Sequence, residues 1–170
     1  MTQQPHYILT QAGFDRLQEE LAEYRARRAE QETERLDVQG DAGEMEPEEG
    51  AVFEARAMRD WLDERIGQLE KILRYAEISG EDPDPERVNV GDRVTVRDVR
   101  EGTDAVFDIL DSEEVAFAAR DNQDSSVTGV SAESPVGRAL LGCRLGDVID
   151  VQVPDGTVRY AVRAMTRIPS

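Results

Sequence analysis

The sequence predicts an α+β chain, with an N-terminal antiparallel helical hairpin of coiled-coil type and a C-terminal β-rich domain. Three observations carry this prediction. Apolar residues recur every three or four positions up to about residue 76 and every second position after about residue 92. Between the two regimes lies SGEDPDPERVNVGD, 79–92, whose prolines, glycines and acids read as a linker. Within the helical half, VQGDAGEMEPEEG, 38–50, breaks the helix with Gly40, Gly43, Pro47 and Gly50. The expected organisation is a hairpin over 1–78, a linker over 79–92 and a β-rich domain over 93–170.

In the first arm Thr10 is a candidate N-cap, with Gln11 to Gly13 as the first turn. Phe14, Leu17, Leu21 and Tyr24 follow at coiled-coil spacing. The seam then fades into RARRAEQETERL, which is too polar to bury much surface. In the second arm Ala55, Met58, Leu62, Leu69, Leu73 and Ala76 continue the pattern, with Ile66 and Ile72 beside it. Arms of roughly 28 residues reach about 40 Å at 1.5 Å per residue. Beyond the linker, RVTVRDV, AVFDIL, EVAFAA, DVIDVQV and VRYAVRAM read as short strands. Turn signals separate them at Glu101-Gly102, Asp121-Asn122, Gly146-Asp147 and Asp155-Gly156. SPVGRALLG, 134–142, reads as a short helix with Ser134 as N-cap, Pro135 at its first position and Gly142 past its end.

Composition narrows the function. The chain carries 37 acids against 20 basic residues, a formal charge of -17. Phosphate contacts need the opposite balance, so free duplex DNA binding is not expected. Such a chain suits a basic protein surface, a basic channel or metal ions. Aromatics make up only 5%, so the core is expected to be aliphatic. The lone Cys143 allows neither an internal disulfide nor a Cys-rich zinc site, and reads as a packed or surface thiol. There is no signal-peptide pattern and no run of ~20 apolar residues, so a cytoplasmic protein without membrane contact is expected.

The break between the arms is the chemically distinctive segment. It holds Asp41, Glu44, Glu46, Glu48 and Glu49, with no basic residue between Arg35 and Arg56. Two like charges 4 Å apart repel by about 1 kcal/mol even in bulk water. The simplest reading is a solvated polar loop. Its length and its place at the end of a polar spacer favour a loop that meets cations instead. Carboxylates suit Mg²⁺, but that ion relies on other oxygens as well, so a complete site here is not expected. Enzyme templates are missing: no G-x-S-x-G, no P-loop and no G-x-G-x-x-G. The only histidine, His6, lies near the N-terminus.

Taken in order, ILTQAGFDRLQEELAEY, a glycine-containing acidic turn, ERIGQLEKIL and SPVGRALLGCRLGDVIDVQVPDG resemble the bacterial Gre transcript-cleavage factors and their inhibitory, anti-Gre paralogues. The resemblance covers nearly the whole chain. Its most specific parts are L-T-x-x-G-x-x-x-L-x-x-E-L from Leu9 and S-P-x-x-R-A-L-L-G-x-x-x-G-D from Ser134. It implies an FKBP-like C-terminal domain that docks at the rim of the secondary channel of bacterial RNA polymerase. It implies a coiled coil that enters the channel as a monomeric factor, with its acidic tip near the catalytic metal. The factor is then not an enzyme itself and binds no metal alone; it shares Mg or Mn with the polymerase, where two ions stabilise the attacking and leaving oxygens.

The tip departs from the cleavage pattern G-D-L-S-E-N-A-E-Y. Gly40-Asp41-Ala42-Gly43-Glu44 keeps G-D-x-x-E, but Met45-Glu46-Pro47-Glu48-Glu49 replaces the rest. A denser acidic tip resembles the inhibitory paralogues, so inhibition or pausing is expected, with stimulated transcript cleavage as the alternative. By the same resemblance Glu44 and Glu46 lie nearest the shared metal, within the group Asp41, Glu44, Glu46, Glu48 and Glu49. Glu133, Ser134 and Pro135 match the polymerase contact. Arg25, Arg27, Arg28 and Arg35 are candidates to touch the RNA 3′ end inside the complex. The interleaved Glu30, Glu32 and Glu34 offer an ion-paired solvent face as the other reading. A structural coiled-coil adaptor and an FKBP-like prolyl isomerase are the readings from other classes. The polar distal arm weighs against the first and the scarcity of aromatics against the second.

Overall fold

The computed structural model describes residues 6–40, 49–80, 82–121 and 126–168, with backbone alone at 36–40, 49 and 117–121. The chain divides into two compact units, one covering 15–75 and the other 6–14 with the chain from 76 onward.

The first unit consists of α1 (Gln11–Gly40), from its second turn onward, and α2 (Glu49–Tyr75). Both arms are present as expected. The helices take in 38–40 and 49–50, which the glycines had assigned to the break. Glycine costs about 1 kcal/mol in a helix interior, and a residue at a helix end leaves few bonds to lose. Leu17, Leu21, Leu62, Leu69 and Ile72 are buried. Two details of the expected seam change. Ile72 is buried while Leu73 is only half-buried, and Ala55 and Met58 are exposed. The seam of the first arm turns polar beyond Tyr24, so it offers those two residues little to pack against.

The second unit opens with β1 (Tyr7–Leu9), paired in parallel with β2 (Ala76–Ile78). Ala76, expected at the end of a helix, therefore begins a strand. Thr10 then starts α1 as anticipated. Its hydroxyl accepts from the Gly13 N–H at 3.0 Å, and its carbonyl accepts from Phe14 N–H at 2.9 Å. The main sheet follows as β3 (Asp92–Asp98), β4 (Asp104–Leu110), β5 (Val127–Ser131), β6 (Val148–Val153) and β7 (Gly156–Arg167). Its order is β5-β4-β3-β7-β6, antiparallel except for β4 with β5.

That parallel pair explains a correction. EVAFAA, expected as a strand, lies in α3 (Ser112–Asp121), and VTGVS forms the strand instead. Parallel neighbours require a crossover, usually helical. The start of α3 is set by Asp111, whose carboxylate accepts from Glu113 N–H at 3.1 Å and whose carbonyl accepts from Glu114 N–H at 3.0 Å. The short helix α4 (Pro135–Leu140) forms as expected, with Ser134 as its cap and Gly142 at φ 77° just past its end.

The core is aliphatic. Val88, Val94, Val96, Ile109, Leu140 and Val162 form it, and Phe107 meets Tyr160 edge to face at 5.9 Å between ring centres. Val88 lies inside the stretch expected as a linker. It exchanges backbone bonds with Cys143 and Gly142, at 2.9 and 2.8 Å, so residues 82–91 pack onto the sheet domain. Cross-strand ion pairs add register. Arg93 grips Asp108 with two bonds of 2.7 and 2.9 Å, and Arg159 grips Asp150 in the same way. Asp92, almost fully buried, accepts from Arg167 at 2.7 Å and from the Asn89 N–H at 2.7 Å.

Candidate functional site

Two features of the hairpin bear on the acidic segment that joins its arms. The first is the register of the arms. Arg25 pairs with Glu70 at 2.6 Å, Arg28 with Asp63 at 2.7 Å, Arg65 with Glu20 at 3.5 Å and Arg59 with Glu32 at 3.9 Å. From Arg25 through Arg28 to Glu32 the partner numbers fall in α2, from 70 through 63 to 59, which is the signature of antiparallel arms. Tyr24 of α1 and Trp61 of α2 also meet, edge to face at 5.4 Å between ring centres. The second feature is the change of chemistry along the arms. Apolar contacts near Leu17, Leu21, Leu62 and Leu69 give way to arginine–carboxylate pairs around Arg28, Glu32, Arg59 and Asp63.

The electrostatics follow from that change. The hydrogen bond to Asp63 holds the Arg28 guanidinium above its already high value. The bond from Arg35 holds the Glu32 carboxyl below the ordinary glutamate value. Gln31 Oε1 and Arg59 Nε are buried without a partner, so the polar seam is incompletely satisfied. Arg25, Arg28 and Arg35 each engage a carboxylate, as does Arg27 with Glu23 at 3.3 Å. The ion-paired face is thus present. An RNA phosphate would have to compete with these partners.

Among the tip carboxylates, Asp41, Glu44, Glu46 and Glu48 lie outside the described residues. Glu49 is the first residue of α2, where exposed backbone N–H groups favour an acid. Among the described residues no group of three or more His, Cys, Asp or Glu side chains is placed to hold a metal ion.

In the second unit Glu133, Ser134 and Pro135 form a rigid corner. The Ser134 hydroxyl donates to the Ser131 carbonyl at 2.7 Å and accepts from Gly137 N–H at 3.0 Å. The Glu133 N–H donates to Ser131 Oγ at 3.1 Å. Gly137 is buried, and a Cβ there would collide with the Ser131 carbonyl. Glu133 and Pro135 are exposed on this corner. Capping and presentation to a partner are therefore compatible. Cys143 donates to the Ala139 carbonyl at 3.1 Å, and burial pushes its thiol up, which fits a packed thiol. His6 Nε2 lies 3.0 Å from Glu77 Oε2 on the surface.

One charged residue escaped the reading of the sequence. Glu114 of α3 is buried, and its carboxylate accepts from both the N–H and the hydroxyl of Thr10. Gly13 is needed beside it, because a Cβ there would strike the Glu114 side chain. Burial holds this carboxyl above the ordinary glutamate value, against the opposing hydrogen bonds from Thr10. The acid-rich start of α3 was its only local signal; its partner lies 104 residues away.

No helix among the described residues is long and apolar enough to cross a membrane. Two family models match the chain. The model for the N-terminal region of transcription elongation factors matches residues 7–78, and that for the GreA/GreB C-terminal region matches 82–167. Transcription elongation factor GreA of Clostridium acetobutylicum is 32% identical over 166 residues, covering 97% of this chain and 99% of that protein. The GreA of Clostridioides difficile is 33% identical over 168 residues, covering 98% and 100%. Among solved structures, GreA factor homolog 1 (Gfh1) of Thermus thermophilus aligns with 26% identity over 95% of this chain and 99% of its own, with a TM-score of 0.41. That superposition is loose and adds nothing to the assignment. The matched regions and the near-complete coverage at 32% identity place this chain in the GreA/GreB family of transcription elongation factors.

Proposed function

We propose that this factor binds bacterial RNA polymerase at the rim of its secondary channel and presents the carboxylates of 41–49 to the catalytic metal, where it slows or pauses elongation. One observation carries the reading. Two antiparallel arms of 30 and 27 residues bracket a segment with four acids and no compensating base, and a fifth acid, Glu49, opens the second arm. Such a segment is self-repelling in water and favourable only beside cations. The polymerase supplies the chemistry through its own metal ions, and this chain supplies oxygens that share or displace a ligand there. Glu44 and Glu46 are assigned nearest that Mg or Mn ion, with Asp41, Glu48 and Glu49 completing the field. Glu133 and Pro135, held by the Ser134 cap, are assigned to the rim contact of a domain read as FKBP-like. The factor acts as a monomer in the cytoplasm. The paired state of Arg25, Arg28 and Arg35 assigns them first to hairpin stability and only second to the RNA 3′ end.

A second reading, stimulation of transcript cleavage, is favoured by the GreA relatives that span the whole chain. The inhibitory sense rests on the replaced N-A-E-Y element. The two activities place acids in one region and differ in geometry of order 1 Å. A backtracked polymerase complex with end-labelled RNA separates them. Slower extension without shortening of the RNA supports inhibition; rapid shortening supports cleavage and overturns the inhibitory sense.

A further inference from the structure

The sheet domain has an open groove of 560 Å³ that none of the assigned roles uses. Pro85, Leu145, Ala164 and Met165 supply its apolar lining, and Arg144, Arg163 and Glu86 its charged groups. Leu145 is 63% exposed and Val148, three residues on, is 57% exposed. An exposed leucine on a turn costs little by itself. Here the turn is built to hold it. Arg144 N–H donates to the Asp147 carboxylate at 2.8 Å, Asp147 N–H donates to the Arg144 carbonyl at 3.1 Å, and Gly146 N–H donates to the Val162 carbonyl at 2.9 Å. Gly146, at φ 90°, permits this path. An apolar anchor already fixed in place loses little entropy on binding.

Charge identifies the occupant. Arg93, Arg97, Arg159 and Arg167 of the same sheet are each paired with an aspartate. Among the described residues the guanidiniums of Arg144 and Arg163 have no ion-pair partner. Two unmatched arginines beside an apolar groove, on a chain of net charge -17, fit a segment that brings both an apolar side chain and carboxylates. The groove volume suits one or two side chains rather than a folded domain.

We propose that this groove is a second docking point for RNA polymerase, taking a polymerase segment with an apolar side chain flanked by acidic residues. The inference rests on the polymerase reading above. Arg144 and Leu145 come after the C-terminal end of α4, whereas Glu133 to Pro135 stand at its N-terminal end, and the six residues of the helix between them span about 9 Å. Two separated contacts would fix the orientation of the domain on its partner, which a single contact cannot do.

The test is binding of the labelled full-length chain to purified core polymerase. R144E/R163E is expected to weaken binding about tenfold, by a factor that shrinks as salt rises, and L145N, which adds no charge, is expected to weaken it independently of salt. These side chains are on the surface, and unchanged circular dichroism would confirm folding. In parallel, a benzophenone side chain in place of Val148 should crosslink to an acid-rich polymerase peptide. Affinities within about twofold of the parent in both variants would overturn the groove while leaving the polymerase reading intact. Crosslinking to a second copy of this chain would overturn it too, in favour of self-association. Failure of the parent chain to bind polymerase would remove both proposals together.

Discussion

Along the two long arms of the hairpin, Leu17, Leu21, Leu62, Leu69 and Ile72 are the buried apolar side chains of the described residues. The sheet domain instead closes Val88, Val94, Val96, Ile109, Leu140 and Val162 into one cluster and surrounds it with partly buried neighbours. Ion pairs also differ in kind. In the sheet they join residues in strand register, and those of Arg93 with Asp108 and of Arg159 with Asp150 are bidentate. Along the distal hairpin they stand where apolar seam residues would otherwise be, as between Arg28 and Asp63. The contrast teaches that the sheet is stabilised by burial, while the distal hairpin gives up burial for charge. A hairpin that meets a charged site, as proposed above, would gain by that exchange, and its stability should be the more salt-sensitive of the two.

The comparison can be sharpened from the strongest effect downwards. Ile109→Ala should cost about 2–5 kcal/mol, because it removes a fully buried side chain from a cluster that cannot collapse around the gap. Urea denaturation of the sheet domain should show the loss; a change below about 0.5 kcal/mol would mean the cluster is not what holds it. Gly137→Ala should cost about 1–3 kcal/mol by pushing α4 off the Ser131 carbonyl. The same change should weaken polymerase binding, since it disturbs the Glu133 to Pro135 corner.

Glu114 gives a prediction with a sign. Its raised carboxyl means that the folded state takes up a proton before the unfolded chain does. Its contribution is most favourable below the ordinary glutamate value, about 4.3, and is lost as pH rises through the raised value. Glu114→Gln is neutral throughout, so its melting temperature should gain on the parent as pH rises across that window. Parallel curves would show that burial does not govern this carboxyl. Glu114→Ala should instead cost about 1–3 kcal/mol by leaving the Thr10 N–H unpaired. The smallest expected effect is on the hairpin. High salt should lower hydrogen-exchange protection around residues 25–35 and 56–65 more than in β3 and β7. Equal loss in both regions would remove the distinction between them.

Much of this architecture could be read in advance where a signal is local. The seam at Leu17 and Leu21 is a spacing, and α4 announces itself through Ser134, Pro135 and Gly142. Other parts depend on distant partners. EVAFAA alternates well enough to pass for a strand, and only the parallel pairing of β4 with β5 makes it a helix. The three-residue strands β1 and β2 are too short to show a period. Glu114 looks like any first-turn acid until Thr10 lies against it. The groove at Leu145 joins residues 85, 145 and 165, which no motif connects. The acidic segment is the opposite case: its composition is legible, and the role proposed for it depends on a partner's metal that sequence spacing does not encode.

The central claim is that tip carboxylates act while the sheet domain docks, and one measurement separates the two jobs. The Glu44→Ala, Glu46→Ala, Glu48→Ala and Glu49→Ala changes would be combined in one variant. Its binding to core polymerase and its effect on elongation would be followed across a range of Mg²⁺ concentrations. The account predicts unchanged binding, loss of the effect on elongation, and an effect of the parent chain that varies with Mg²⁺. A variant that still alters elongation like the parent, or that no longer binds polymerase, would contradict it.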